Sequence, residues 1–252
     1  MTKSIFKTVD QYGPIEVFDV GAKRYLTFGN DHEQSLQIKA TPHIPQHEYG
    51  RAIMLSLLFL PDVLNDASNH SKNIAILGLG GGTLANAFLQ AANDIDVHVI
   101  ELRMAVIKIA QHYFQLEKHP RLHVHHSDGV EHLNGNDAKY DLLIADMYHE
   151  DGIDQQQLQL DFIHSCEKNL SEKGILVLNY WLDHDLESGL LSLLNQHFEQ
   201  LFICNSGGGN VIIYACKNSI EHDYLDKNLV KPLAKKLGFS LNYYLKRLKI
   251  LS

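Results

Sequence analysis

Apolar positions change their period along the chain. Between residues 15 and 38 they come as short β-type runs, at 15–20, 24–28 and 35–38, punctuated by Gly21-Ala22 and Gly29-Asn30-Asp31. Runs of this kind bounded by turn residues predict a small antiparallel meander. Pro42 and Pro45 then interrupt regular structure, and 47–60 reads as a helix with Tyr49, Ile53, Leu57 and Leu58 near one face, stopped by Pro61. Beyond a polar linker at 65–72, strands are expected at 73–79, 96–101, 122–126, 140–146 and 174–180, with helices at 83–92, 104–114 and 156–170. That alternation predicts βαβ units and a mostly parallel sheet covered on both faces. A helix at 186–198 is followed by runs at 201–204 and 211–216 around Gly207-Gly208-Gly209-Asn210, a turn so short that the two strands must be antiparallel.

The expected fold class is therefore α/β. It is a Rossmann-like, adenosylmethionine-binding type of sheet, mostly parallel with a terminal antiparallel hairpin, preceded by a small N-terminal β-meander. The expected division is 1–60 for the meander plus helix, 61–217 for the Rossmann-like domain, and 218–252 for a basic helical tail. In that tail Leu225, Leu229, Leu233, Leu237, Leu241, Leu245 and Leu248 recur every three or four residues, a helical apolar stripe with Gly238 as its break. The stripe predicts docking on the chain's own domain or on a partner subunit, which makes a homodimer one expectation.

Composition narrows the function classes. With 45% hydrophobic and 21% charged residues over 252 positions, the chain has globular composition. Its longest apolar stretches, 52–61 and 73–79, fall well short of the roughly 18 residues that a membrane helix needs. The first residues lack an apolar signal region, so a cytoplasmic location is expected, with no membrane partner. Cys166, Cys204 and Cys216 are far apart and show no CxxC pattern, which predicts reduced thiols without a disulfide framework or a zinc knuckle. There are 22 basic and 30 acidic residues, a net charge of −8. The excess is uneven, with +5 over 217–252 and −13 over 1–216. An acidic body disfavours nucleic acid and concentrates small cations near its clefts. The sixteen histidines scatter. His123 and His125 would share one face of a strand and His126 the other, and no ligand cluster at helical spacing completes a site, so no metal is expected.

The chemistry gathers at strand ends. Gly78-Leu79-Gly80-Gly81-Gly82 lies between a predicted strand and helix, where the backbone must turn tightly and approach a ligand closely. Thr83 stands where the dinucleotide fingerprint has its third glycine, which weakens a pyrophosphate reading and with it a dehydrogenase. Glu101 closes the next strand, where a carboxylate can accept hydrogen bonds from both hydroxyls of a ribose. Asp128, followed by Gly129, ends the third strand and suits either an adenine amino group or a helix N-cap. Asp146 ends the fourth, just before Met147-Tyr148-His149-Glu150-Asp151-Gly152. Ligand-bearing residues at the carboxyl ends of consecutive strands are where open α/β sheets bind ligands.

Residues 74–146, with Ile-Leu-Gly-Leu-Gly-Gly-Gly-Thr, Val-Ile-Glu101, Ser-Asp128-Gly129 and Leu-Ile-Ala-Asp146, resemble the spermidine synthase (polyamine aminopropyltransferase) family, and the similarity extends over about 15–216. The resemblance implies that Gln34 and Glu101 hold the nucleoside, that Asp128 and Gly129 hold the adenine, and that Asp146 is the general base on the attacking amine. Tyr49 and Tyr148 would line the amine channel, and Gly78, Gly80 and Gly81 would pass close to the ligand. It also implies decarboxylated S-adenosylmethionine, or S-adenosylmethionine itself, as co-substrate and a small-molecule amine as acceptor, without a metal. Two departures stand out. The family loop Gly-Gly-Gly-Asp-Gly-Gly has Gly81 here in place of its Asp, and Asp-Ser-Ser-Asp-Pro is replaced by Asp-Met-Tyr-His-Glu-Asp-Gly.

An amine attacks only when unprotonated, so a carboxylate must orient the cation and accept its proton as nitrogen attacks the carbon beside a sulfonium. Asp146 has the residue type and position for this, and Glu150 and Asp151 could attract a second ammonium. The expected function is thus aminopropyl transfer to a polyamine or related amine. The alternatives are an S-adenosylmethionine-dependent methyltransferase and a noncatalytic adenosyl-ligand-binding protein, both favoured by Gly81, whereas Asp146 and the meander favour the transferase.

Overall fold

The computed structural model describes residues 3–29, 33–60, 71–149, 152–153, 159–181, 188–221 and 223–251. Four strands, β1 (Lys3–Asp10), β2 (Gly13–Val20), β3 (Lys23–Thr27) and β4 (Glu33–Ile38), form an antiparallel sheet in sequence order. Strand β1 is an addition to the meander expected from sequence. Its alternation is weak because Val9 lies outside while Phe6 packs on Tyr113, their rings 5.1 Å apart. The segment expected as one helix at 47–60 is an α-helix, α1 (Glu48–Ile53), continued by a 3₁₀ turn (Met54–Phe59). All six residues of that turn are buried, so there is no single apolar face, and Ser56 Oγ donates to Ile53 O at 2.7 Å.

Among the described residues the main sheet has eight strands. Its parallel part comprises β5 (Lys72–Leu77), β6 (Ile95–Glu101), β7 (Leu122–His126), β8 (Tyr140–Ala145) and β11 (Leu170–Trp181). Helices α2 (Thr83–Ala91), α3 (Met104–Tyr113), α4 (Gly129–Asn134), α5 (Leu160–Asn169) and α6 (Ser188–His197) lie between its strands or just after them, and two short strands, β9 (Tyr148–His149) and β10 (Gly152–Ile153), form a separate hairpin. At the far side β12 (Gln200–Asn205) and β13 (Asn210–Cys216) pair antiparallel, as the Gly-rich turn predicts. Seven of these strands run in the order β12-β13-β11-β8-β5-β6-β7, so the chain leaves β5 in one direction and returns on its other flank at β8. That reversal is the switch point at which open α/β sheets take ligands. Two apolar clusters fill the faces, one around Phe88, Phe114 and Ile144 and one around Phe162, Leu178 and Ile213.

The meander is fastened to the main sheet and its helices by two arginines, Arg24 and Arg103. Arg24 bridges both oxygens of Asp19 at 2.7 and 2.9 Å and also donates to Tyr113 O, and the Arg24 and Lys39 contacts bring the Asp19 carboxyl down to about 2. Arg103, just beyond β6, donates to Asp10 at 2.8 and 3.1 Å and to Gly13 O at 2.9 Å.

The tail is helical on both sides of the Gly238 break but does not stay helical to its end. Helix α7 (Lys227–Leu237) ends at Gly238 in the left-handed conformation, α8 (Asn242–Leu245) is one turn, and β14 (Leu248–Ile250) joins the sheet beside β12. Pairing there satisfies open backbone groups of an edge strand, with Leu251 N donating to Leu201 O at 2.8 Å. The Leu stripe docks on its own chain, with Leu229, Leu233, Leu237 and Leu241 inside the same cluster as α2.

At the opposite edge, His98 on β6 stacks with His123 and His125 on β7, their rings 4.6 and 5.6 Å away, and His125 lies 5.0 Å from His132 of α4. Burial, and then the neighbouring imidazoles, push His98 down to about 4. Asp96 beside His123 opposes this shift only partly. His126 points away and meets Leu102 O at 3.0 Å.

Two outcomes follow. Leu233→Ala is expected to lower the unfolding free energy by about 2–5 kcal/mol in urea titrations, and a loss below about 1 kcal/mol would show that the tail is not part of the core. Because the folded state holds His98 below its unfolded value near 6.5, its neutral form contributes stability that is complete above about pH 6.5 and is lost as pH falls toward 4. The melting temperature of His98→Asn should therefore fall less than that of the parent between pH 6.5 and 4, and parallel curves would contradict the assignment.

Candidate active site

The site is built where β5 and β8 end side by side. Asp146 N donates to Leu77 O at 3.0 Å and Gly78 N to Ile100 O at 2.8 Å, so the turn after β5 is pinned to both neighbouring strands. Gly78 has φ +100°, and a Cβ there would lie 2.3 Å from Asp146 O. Only glycine fits. The loop continues over the meander, where Gly81 N donates to Ser35 Oγ at 2.8 Å. A Cβ on Gly81 would come within 2.8 Å of the buried Phe114 ring, so the space beside this position is closed on that side.

Glu101 sits at the end of β6 with its carboxylate buried. Oε2 accepts from Leu79 N at 2.9 Å and Oε1 from Arg103 N at 2.7 Å. Burial raises its pKa, and the two amides oppose that rise. Asp128 caps α4, with Oδ1 accepting from Val130 N at 2.8 Å and Glu131 N at 3.0 Å. Both bonds fall on one oxygen, so the capping and binding readings of this residue are compatible. Asp146 Oδ1 accepts from Asn179 Nδ2 at 2.8 Å, and Asn179 Oδ1 accepts from Asn210 Nδ2 at 2.9 Å. Desolvation pushes the Asp146 carboxyl up to about 6, and the Asn179 bond holds it back.

These residues surround one cavity of about 470 Å³. Of the residues singled out in the sequence, Gln34, Tyr49, Gly78, Gly80, Gly81, Glu101, Asp128, Gly129 and Asp146 all line it. Tyr148 belongs to β9, but its side chain lies outside the described residues, as do Glu150 and Asp151. Tyr180 is in the core, whereas Trp181 reaches the cavity wall.

The structure adds residues that sequence reasoning passed over. His47 lines the cavity beside Tyr49, the two rings stacked 5.5 Å apart. Its Nε2 is buried without a hydrogen-bond partner, and desolvation lowers its pKa, which favours the neutral ring. Glu48 also lines the wall and accepts a hydrogen bond from the Tyr244 hydroxyl of the tail. Asn179 and Asn210 were legible only as oddities, one a lone amide inside a strand of aliphatic residues and the other the last residue of a glycine turn. Among the described residues the lining carries the carboxylates of Glu33, Glu48, Glu101, Asp128 and Asp146 against the guanidinium of Arg103, which is already engaged by Asp10. Such a wall attracts cations.

The sequence matches the spermine/spermidine synthase domain over residues 60–226. The chain belongs to the spermine/spermidine synthase family. A polyamine aminopropyltransferase of Neisseria meningitidis serogroup A is 27% identical over 227 residues, covering 89% of this chain and 83% of that protein. In structure the chain resembles a probable spermidine synthase from Corynebacterium glutamicum, with a TM-score of 0.75 at 17% identity, covering 99% of this chain and 90% of the other. It also resembles human methyltransferase-like protein 13 in complex with SAH, with a TM-score of 0.63 at 20% identity, covering 76% and 90%. At these identities the structural likenesses establish a fold shared by spermidine synthases and methyltransferases. No helix among the described residues is long and apolar enough to cross a membrane.

Since the Asn179 amide stabilises the charged form of Asp146, removing it should raise that pKa further. In Asn179→Ala the Asp146 carboxyl is expected to titrate above 6 when followed by carboxyl carbon NMR, and an unchanged or lower value would contradict the assigned contact.

Proposed function

We propose that this member of the spermine/spermidine synthase family transfers an aminopropyl group from decarboxylated S-adenosylmethionine to a small amine, with Asp146 as general base. The observation that carries the reading is the Asp146 carboxyl, held near 6 at the switch point of the sheet inside a cavity walled by carboxylates. A base poised near neutrality can take a proton from the incoming ammonium and still be ionised at working pH. As the amine nitrogen attacks the carbon beside the sulfonium, that C–S bond breaks and its electron pair stays on sulfur, giving methylthioadenosine. The proton lost by nitrogen passes to Asp146, whose orientation is fixed by Asn179 and Asn210.

The remaining roles follow from chemistry and place. Glu101 has spare lone pairs for ribose hydroxyls after its two amide contacts, and Asp128 has Oδ2 for the adenine amino group. Gln34 and the Gly78–Gly81 turn would flank the nucleoside, while Tyr49 and Trp181 present aromatic surface to the alkyl chain of an amine. Gly81 brings no carboxylate, so Glu33 and Glu48 on the facing wall are the groups left among the described lining residues to meet a second ammonium.

Methyl transfer is the competing reading, because a methyltransferase shares the fold and Gly81 lacks the acidic side chain of the resembling family. Purified protein supplied with decarboxylated S-adenosylmethionine and a panel of diamines and triamines should release methylthioadenosine, whereas S-adenosylhomocysteine from S-adenosylmethionine would replace the proposal with methyl transfer. Asp146→Asn should cut the transfer rate by ~10²–10⁴ while methylthioadenosine still binds. Glu101→Ala should weaken nucleoside binding by ~1.5–3 kcal/mol in calorimetry. In the parent protein kcat/KM should rise with pH through about 6, as Asp146 loses its proton, and a rate independent of pH between 5 and 7 would remove Asp146 from the base role.

A further inference from the structure

We propose that His164, Glu167 and His197 form a binding site for a divalent ion of the zinc or nickel type, which clamps α5 to α6 at the end of the sheet away from the cavity. His164 and Glu167 are three residues apart and share one face of α5, and His197 is the last residue of α6. One ligand atom from each lies within 4.8 Å of the other two. His197 Nδ1 and Glu167 Oε2 are already in contact at 2.7 Å, and the two imidazole rings are 6.3 Å apart. An ion with bonds of ~2.0–2.2 Å needs donors somewhat closer together than the widest of these gaps. Small side-chain rotations supply that, because His164 is exposed and Glu167 and His197 are half-buried.

The donor set selects the ion. Two imidazoles and one carboxylate suit zinc, nickel or copper, whereas magnesium and calcium favour all-oxygen shells. Three protein ligands leave a fourth position for water. The surroundings also favour a cation. Glu167 and His197 lie in the last turns of their helices, where the backbone dipole is negative, and the exposed side of His164 gives the ion an entry path. Beneath it the two helices pack through Phe162, Ile163 and Leu194 in one apolar cluster, so the helices that carry the ligands are held rigidly. Entry of the ion replaces the hydrogen bond between His197 Nδ1 and Glu167 by two metal bonds, with the single proton of the neutral ring carried on Nε2.

The location makes the site structural. Strand β11 begins at Leu170, directly after α5, and pairs there with Tyr140, the first residue of β8, whereas Asp146 follows the other end of β8. The cluster and the cavity are therefore at opposite ends of the same strands, and the proposal does not depend on the reaction catalysed. Sequence spacing hides the site, because thirty residues separate His197 from Glu167 and no short motif joins them.

The test uses the full chain, free of any affinity tag and treated with EDTA. Zinc or nickel chloride is then added while binding is followed by calorimetry and the melting temperature is recorded. The parent should bind zinc with a rise in melting temperature. His164→Ala and His197→Ala should each weaken binding by about tenfold or more and abolish the rise at the same zinc concentration. His98→Ala, which alters the stacked histidines at the sheet edge, should leave both unchanged. Since His164 is exposed, a metal-free melting temperature near the parent's shows that His164→Ala is folded. The proposal is overturned if the parent does not bind either ion, if the His164→Ala protein binds as tightly as the parent, or if His98→Ala removes the effect.

Discussion

The buried carboxylate of Glu101 is the constraint on which the site depends. A charge taken out of water must be met by donors, and here the donors are the backbone amides of Leu79 and Arg103. The first fixes the turn after β5 against the end of β6. The second fixes the start of the segment whose Arg103 guanidinium grips Asp10 and Gly13, and through them the meander. Loss of that carboxylate would thus remove one fastening of the glycine turn and one of the segment that holds the covering sheet. The group that the proposed function assigns to the ribose is also the fastening that shapes the cavity around it.

The same economy governs Asp146. The chain reverses its direction of travel across the sheet between β5 and β8, so the two strand ends lie side by side with nothing crossing between them. Gly78 lets the first turn pass against the Asp146 carbonyl, and this contact sets where the aspartate backbone sits. Its side chain is then aimed by an amide relay from β11 and β13. That relay exists because the last parallel strand is followed by an antiparallel hairpin, which brings Asn210 back beside Asn179.

How much was legible in the sequence follows from the range of the interactions involved. The parallel strands were visible because a strand buried on both faces must be a continuous apolar run, as at Ile74–Leu77, and the glycine turn was visible because its residues are adjacent. Strand β1 was hidden since its two faces are half exposed, and the 3₁₀ turn because burial on all sides erases the helical stripe. Strand β14 was hidden for a third reason. Its Leu248 continues a helical spacing, and only the open edge of β12 decides that the segment extends instead. Asn179 and Asn210 were missed because each owes its place to a partner far along the chain, and His47 because only the fold brings it to the cavity wall. The side chain of Tyr148 and the residues Glu150 and Asp151 fall outside the described structure, so the reading of the acidic loop stands where the sequence left it.

Phe114 bears on how the cavity differs from that of the family the sequence resembles. In that family's loop an aspartate stands where Gly81 does, and here a side chain at 81 would meet the Phe114 ring, which is locked in the core at the end of α3. Gln37 Nε2 donates to the Phe114 carbonyl at 2.5 Å, so the meander holds the segment carrying that ring. Restoring the aspartate would therefore require moving α3, the meander or the loop itself, and a single substitution at 81 supplies none of these. The cationic attraction of the cavity has to come from other elements, and the carboxylates on the wall formed by β4 and α1, Glu33 and Glu48, are placed for it. Glu48 is in turn held by Tyr244, so on the proposed reading the tail that packs beneath the sheet edge also helps to set the charge that an amine meets.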